Sequence, residues 1–258
     1  MKINVKNYVE NKKAEIKKLD ARARLLIIQI GDNTASNSYI KGKIKDCAEV
    51  GFETTLIKFS ENTTGNTIEH FIYNYGKYYN GIILQEPAVL NNKENIIKRI
   101  EPKQDVDGFK RDSEHKPCTP LGIINFLKDY LNTDNFKGKI IAVVGKGSLV
   151  GKPLVPMLME LGATVISCNS TTPDLGGLTK QADIVVSAVG KQNLITREMI
   201  KDGAIVVDAG ILTDENGKLC GDCDKNMYDD PDIFITTVPG GVGLLTRLTL
   251  LQNLSDAK

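Results

Sequence analysis

The sequence predicts an α/β protein of two domains, each built on a parallel sheet with crossover helices. Short runs rich in β-branched residues alternate with longer helical segments in both halves of the chain, the order that gives parallel sheets. Residues 101–120 break the alternation with Pro, Asp, Gly, Lys and His in no period, as a domain boundary does. One apolar run, residues 140–144, enters a glycine-rich turn that opens into a helix, the arrangement that starts many doubly wound sheets.

The first half justifies an αβα domain element by element. A polar helix is expected over residues 8–18, an apolar strand over 25–30, a long helix over 35–50 and a strand over 54–59. A helix over 66–78 and a buried strand over 81–84 complete it, the strands read from length and β-branching and the helices from their period.

A helix over 121–131 leads into the second series, with strands expected at 139–145, 163–168, 182–188, 203–208 and 233–238. Several are separated by helix-like segments, which predicts a doubly wound sheet. Residues 244–254 follow a glycine-rich turn and read as an amphipathic helix returning to the first domain. The expected domains are therefore 1–118 with 243–258, and 119–242.

Bulk composition excludes several functions. The 258 residues are 41% hydrophobic and 25% charged with a net charge of +1, so disorder is excluded and no basic surplus drives binding to nucleic acid or an anionic membrane. The N-terminus lacks the apolar core of a signal peptide, and no segment has the length of a bilayer span, which predicts a cytoplasmic protein with a small-molecule ligand. The five cysteines are odd in number and scattered, which predicts free thiols. Cys220-Gly-Asp-Cys223 has the spacing of a redox or metal pair, but only His70 and His115 are present to complete a zinc site, so no metal is expected and a turn of small residues is the plainer reading.

The nucleotide signal is the strand Ile140-Ile-Ala-Val-Val followed by Gly145-Lys146-Gly147-Ser148-Leu-Val150-Gly151-Lys-Pro153. Glycines let the backbone approach a pyrophosphate, the helix N-terminus supplies partial positive charge, and Pro153 near the first turn forfeits little. Tight strand-to-helix turns also use such glycines without a ligand, but the place after a strand and before a helix predicts a Rossmann-type dinucleotide turn. The next strand ends Cys168-Asn169-Ser170-Thr171-Thr172 without the acid that holds the ribose of NAD. Lys146, Ser170 and Thr171 could receive a 2′-phosphate, which favours NADP with NAD as the alternative; a solvated loop lysine is the competing reading of Lys146.

Further motifs extend over nearly the whole chain: Ser38-Tyr39-Ile-Lys-Gly-Lys43, Gly81-Ile-Ile-Leu-Gln85-Glu-Pro87, Asp105-Val-Asp107-Gly-Phe109, Pro117-Cys-Thr-Pro120 and Val150-Gly-Lys-Pro153. Ala182-Asp-Ile-Val-Val-Ser-Ala188-Val189-Gly190, Asp208-Ala-Gly210-Ile211, Gly221-Asp222 and Pro239-Gly240-Gly241-Val-Gly243 follow in order. Together they resemble the bifunctional methylenetetrahydrofolate dehydrogenase/methenyltetrahydrofolate cyclohydrolases. The resemblance implies NADP-dependent oxidation of 5,10-methylenetetrahydrofolate to the methenyl compound, and its hydrolysis to 10-formyltetrahydrofolate, in one-carbon metabolism that feeds purine biosynthesis. It implies a folate cleft between the domains and a homodimer. It assigns Lys43 as catalytic lysine, Gln85 as its partner, Tyr39 as a wall of the pterin site and Asp107 as anchor of the amino-pyrimidine edge. Pro239, Gly240 and Gly241 would line the folate site, and Ala188, Val189, Gly190, Gly210 and Ile211 would join the glycine turn around the cofactor.

Those residue types suit the chemistry. Water attack on the methenyl cation needs a proton removed and later delivered to a ring nitrogen, which a desolvated lysine can shuttle. A carboxylate can accept two hydrogen bonds from an amino-pyrimidine, and a tyrosine offers a flat face. Tyr39 and Lys43 lie four apart, on one helix face. Without the resemblance they read as an ordinary surface pair, and Asp107 as a turn aspartate.

The chain departs from the family pattern at several points. Gln85-Glu86-Pro87-Ala88-Val89 stands for the usual Gln-Leu-Pro-Leu-Pro, Gln104 for a lysine, Lys146-Gly147 for Arg-Ser, Asn169 for a histidine and Leu244-Leu245 for Pro-Met. An acidic Glu86 beside the lysine would slow hydrolysis or move it to higher pH. Three alternatives stay open: a dehydrogenase without cyclohydrolase activity, another dinucleotide-dependent oxidoreductase of the amino-acid or shikimate type, and a nucleotide sensor using Cys220 and Cys223 as a thiol switch.

Overall fold

The computed structural model describes residues 1–19, 22–88, 90 and 93–257; Val89 lies outside them. The chain forms two compact units, one of Glu10–Cys118 with Arg247–Lys258 and the other of Met1–Val9 with Thr119–Thr246. Met1–Val9 joins the second unit, rather than the first as the sequence boundaries had it, because the chain at Lys2 bridges to Ile235 and Ile3 N–H donates to the Ile235 carbonyl at 2.8 Å.

In the first unit, strands β1 (Arg24–Ile30), β2 (Glu53–Phe59) and β3 (Gly81–Leu84) form a parallel sheet in the order β2-β1-β3. Ile28 pairs with Ile57 on one side and Leu84 on the other. The central strand is buried from Leu25 to Ile30, which is why it reads as a continuous apolar run rather than an alternating one. Helices α1 (Val5–Lys18) from Glu10 onward, α2 (Thr34–Val50), α3 (Gly65–Tyr75) and α4 (Lys93–Arg99) accompany it. One core joins Leu26, Ile28 and Ile30 to Ile68, Ile72, Leu84 and Ile96. The helix expected over 66–78 stops at Tyr75, and Gly76–Tyr78 tightens into a 3-10 turn. Helix α4 escapes the sequence reading because it has only seven residues, too few to show a period.

The second unit opens with α5 (Cys118–Leu131) and carries β4 (Ile140–Val144), β5 (Thr164–Cys168), β6 (Ile184–Ser187), β7 (Ile205–Asp208) and β10 (Phe234–Ile235). They form a five-stranded parallel sheet in the order β10-β7-β6-β4-β5. Helices α6 (Gly151–Glu160) and α7 (Leu175–Thr179) and the short hairpin β8 (Leu212–Thr213) and β9 (Leu219–Cys220) complete the inventory before α8 (Val242–Asp256). The chain winds outward from β4 to β5 and then returns to β6 on the other side, so the order reverses between β4 and β6. In such sheets the carboxyl ends at the reversal form the ligand crevice. Of the run expected at 233–238, only Phe234 and Ile235 pair as strand.

The last helix corrects the amphipathic reading. From Leu248 onward Leu248, Thr249, Leu250, Leu251, Asn253, Leu254 and Ser255 are all buried, with only Gln252 half-buried and Asp256 exposed, so polar and apolar residues alike are enclosed and no broad polar face meets solvent. Among the described residues no helix is long and apolar enough to cross a membrane.

Candidate active site

Helix α2 sets the first group of functional side chains. Asn33 caps it by accepting the Ser36 N–H at 3.0 Å, and Gly51 ends it in the left-handed region at φ 88°. Ser36, Ile40, Lys43, Cys47 and Val50 are buried along one face. Lys43 therefore occupies an apolar phase of the helix and is only 4% exposed, where a lysine is costly unless paired.

Its surroundings are polar on one side. The Lys43 Nζ lies 3.8 Å from Asp107 Oδ2 and 5.3 Å from the centroid of the Tyr39 ring. Structure thus brings Tyr39, Lys43 and Asp107 together. Burial pushes the Asp107 carboxyl above the usual carboxylate range; the Lys43 ammonium pulls it down without offsetting the desolvation.

The loop carrying Asp107 is held from several directions. Gly108 adopts φ +72°, and a Cβ there would meet the Lys116 carbonyl carbon at 2.5 Å. Asp105 accepts the Lys110 N–H at 2.7 Å, and the Cys118 thiol donates to the Val106 carbonyl at 3.2 Å. Asn253, from α8, donates to the same Val106 carbonyl at 2.9 Å and to the Lys116 carbonyl at 3.3 Å. Its amide ties together two carbonyls of the loop that carries Asp107, a role the sequence reading missed.

Gln85 follows β3 and donates its amide to the Glu86 carbonyl at 2.8 Å, while its buried Oε1 has no hydrogen-bond partner. No hydrogen bond joins it to Lys43 among the described residues. Gln29, near the end of the adjoining strand β1, also keeps a buried Oε1 unpartnered while its amide donates to Asn37 at 2.8 Å. Two orphan acceptors at the same end of one sheet mark where donors from a ligand, water or lysine are wanted. Gln29 went unread because it sits within an apolar strand run.

Two departures from the family pattern acquire explanations. The Glu86 carboxylate pairs with Lys93 and accepts the Ala88 N–H at 2.9 Å. Gln104 is buried and donates to the Gly76 and Tyr79 carbonyls at 3.0 and 2.7 Å, so its amide ties the loop to the end of α3. Deeper along α2, Asp46 is buried between Lys13 at 2.9 Å and Arg247 at 2.8 Å, which binds α1, α2 and α8.

The second group lies in the other unit. A Cβ on Gly145, at φ +109°, would lie 2.4 Å from the Ala188 carbonyl oxygen, and one on Gly151 would lie 1.9 Å from the Gly145 oxygen. Gly147 has open space around its Cα. The turn therefore requires glycine at two positions for its own folding and leaves the third clear. Lys146, Gly147 and Ser148 are exposed, Val150 is half-buried, and α6 begins at Gly151. Exposed donors at a ten-residue helix start, at the sheet's reversal, fit a dinucleotide phosphate.

Beyond β5, Asn169 accepts the Thr171 N–H at 3.0 Å and its hydroxyl at 2.8 Å, folding the segment and leaving Ser170 exposed. Lys146 lies close enough to Cys168 for its charge to act on that thiol, though burial still holds the thiol above its ordinary pKa. Val189, Gly190 and Ile211 are exposed, Ala188 is half-buried and Gly210 is buried. Pro239 and Gly240 are exposed and Gly241 is buried, in the turn before α8 that belongs to this unit, not to the unit with Lys43. All five cysteines are free and buried. Among the described residues no three His, Cys, Asp or Glu are placed to hold a metal.

A glycine turn at the reversal of a doubly wound sheet, together with a second unit that buries a lysine against an aspartate, defines a two-domain nucleotide-dependent enzyme. Comparison with known proteins identifies the kind. Residues 1–107 match the tetrahydrofolate dehydrogenase/cyclohydrolase catalytic domain, and residues 117–258 match the NAD(P)-binding domain of the same family. The bifunctional protein FolD of Mycoplasma capricolum is 42% identical over 90% of this chain and 86% of its own length. That of Hydrogenobaculum is 39% identical over 96% and 93%. The crystal structure of the bifunctional FolD methylenetetrahydrofolate dehydrogenase/cyclohydrolase from Campylobacter jejuni superposes with TM-score 0.91 at 34% identity, covering 100% of this chain and 98% of its own. The Trypanosoma brucei enzyme, solved with NADP cofactor and inhibitor, gives 0.89 at 27%, covering 98% and 95%. The chain belongs to the tetrahydrofolate dehydrogenase/cyclohydrolase family.

Proposed function

We propose that the chain oxidises 5,10-methylenetetrahydrofolate with NADP and hydrolyses the 5,10-methenyl product to 10-formyltetrahydrofolate. The observation that carries this reading is the burial of Lys43 with its ammonium facing Asp107 and the Tyr39 ring. A cation placed in an apolar helix phase lowers stability and earns retention through chemistry.

Asp107 holds the amino-pyrimidine edge and Tyr39 packs on the pterin. When bound, the nicotinamide supplies an acceptor for the hydride that leaves the methylene carbon. Lys43 then serves hydrolysis: as the free amine it takes a proton from the attacking water and returns it to the ring nitrogen that departs from carbon, while the adduct's hydroxyl proton is released to solvent as the formyl carbonyl forms. Gln85, and beside it Gln29, offer unpartnered carbonyl oxygens that orient the amine or the water. Pro239, Gly240 and Gly241 line the folate, and the turn from Gly145 to Gly151 holds the pyrophosphate. Lys146 and Ser170 receive the 2′-phosphate of NADP, with NAD the weaker cofactor. The dehydrogenase-only reading rested on Glu86, whose carboxylate is engaged by Lys93 and the Ala88 N–H.

The family resemblance further supports a cytoplasmic homodimer supplying formyl groups to purine biosynthesis. Light scattering on the purified chain tests the dimer. The two activities are separated by Lys43→Met, which should retain NADP-dependent oxidation and lose hydrolysis of added methenyltetrahydrofolate. Unchanged hydrolysis would remove Lys43 from the mechanism.

A further inference from the structure

Asp222 is fully buried and has no part in the proposed chemistry. Its Oδ2 accepts the Ser187 hydroxyl at 2.6 Å and the Val189 N–H at 2.8 Å. Its Oδ1 accepts the Gly190 and Lys191 N–H groups, each at 2.8 Å. One carboxylate thus takes three successive backbone donors of the loop that follows β6.

A second buried carboxylate supports the first. Asp208, at the end of β7, accepts the Gly210 and Asp222 N–H groups at 3.0 Å through Oδ1 and the Cys223 N–H at 2.9 Å through Oδ2. Room for both depends on glycine: a Cβ on Gly210 would lie 2.3 Å from Asp222 Oδ1, and one on Gly221 would lie 2.1 Å from Asp208 Oδ2. Cys220 and Cys223 flank this turn as small buried residues.

The consequence concerns the nucleotide site, since the Ala188 carbonyl closes against Gly145 of the phosphate turn. Backbone N–H groups in succession usually make an anion site, yet those at 189–191 all point inward to Asp222. The loop is left to meet a ligand through carbonyl oxygens and the exposed Val189 side chain, which suits a ribose or a planar ring and rejects phosphate.

We infer that Asp222 is a positioning residue of the cofactor site: it fixes the 188–191 loop and removes its N–H donors from the ligand, so that the pyrophosphate is confined to the Gly145–Gly151 turn. This rests on the reading that the unit binds a dinucleotide. In Asp222→Asn an NH2 replaces one oxygen, and either orientation of the amide opposes backbone donors: the Gly190 and Lys191 N–H groups in one, the Val189 N–H in the other, where the Ser187 hydroxyl can turn to accept.

The test uses the full chain and measures KM for NADP, KM for folate, both kcat values and methenyl hydrolysis without nucleotide. Asp222→Asn should raise the NADP KM at least tenfold while kcat at saturating NADP and the folate KM change less than threefold. A folded variant with unchanged NADP KM, or with kcat and both KM values degraded alike, overturns the inference. Should that variant fail to fold, amide hydrogen exchange on the wild type decides: the amides of 189–191 should be protected without nucleotide and gain nothing from NADP, while those of 147–150 gain protection. Rapid exchange at 189–191 in the free protein, or new protection there on binding, contradicts the inference. Wild-type protein that binds neither NADP nor NAD overturns the nucleotide reading itself.

Discussion

Lys43 interrupts the buried stripe of Ser36, Ile40, Cys47 and Val50, although by its residues alone it reads with Tyr39 as an ordinary surface pair and only the family resemblance singles it out. What the sequence alone withheld was its partner, because Asp107 lies 64 positions away in an aperiodic loop and only the fold brings the two within 3.8 Å. Replacing Lys43 by Ala should cut methenyl hydrolysis by roughly a hundred- to ten-thousand-fold, the usual range for a lost general acid/base, with nucleotide binding retained; equal rates in stopped-flow absorbance would contradict it. Asp107 adds a pH prediction. Its carboxyl titrates above the usual range because it is buried, so the anion that accepts the amino-pyrimidine donors is present above that raised pKa and is lost as pH falls through it. The folate KM should therefore climb on acidification earlier than for an ordinary aspartate, and Asp107→Asn should flatten the dependence while weakening folate at every pH. A KM profile unchanged by Asp107→Asn would deny the carboxyl its role.

At the scale of elements, the strands and long helices were legible because burial and period imprint them directly, whereas α4, the short extent of β10 and the enclosed end of α8 were not. Their form is set by what packs on them rather than by their own pattern. Helix α8 shows the point: its Asn253 matters through carbonyls at 106 and 116 that no local reading could find. Asn253→Leu should lower stability by about 1–3 kcal/mol, the usual cost of leaving a buried polar group unpaired, and raise the folate KM through the loosened Asp107 loop. Thermal melting and folate titration check both. The glycine turn makes a paired prediction. Gly151→Ala drives a Cβ to 1.9 Å from the Gly145 oxygen and should disrupt the turn, whereas Gly147→Ala meets nothing within 4 Å. It should fold normally yet weaken NADP by filling the space kept for its phosphates; normal NADP binding by Gly147→Ala would place the phosphates elsewhere.

For the whole molecule, the two units divide the chemistry, with the lysine site and the nucleotide turn on separate sheets. The family resemblance supplied the site residues, and the structure adds Gln29, Asn253 and Asp222, whose roles depend on contacts distant in sequence. The thiol-switch reading fares poorly physically: all five thiols are buried, and burial pushes Cys47 up to about 12 and Cys118 and Cys223 well above their ordinary range. Few would be thiolate at neutral pH, so a disulfide-exchange dye should react slowly with the native chain and with all five cysteines after unfolding.

The central claim is that one chain carries both reactions through Lys43 and a dinucleotide. Its most direct test is to mix purified protein with methylenetetrahydrofolate and NADP or NAD, follow reduced nucleotide and the methenyl chromophore by absorbance, and record hydrolysis of added methenyltetrahydrofolate separately. The account predicts reduced nucleotide, more readily with NADP, together with methenyl loss faster than the uncatalysed rate. Reduction with only the uncatalysed loss, or no reduction with either nucleotide, would contradict it.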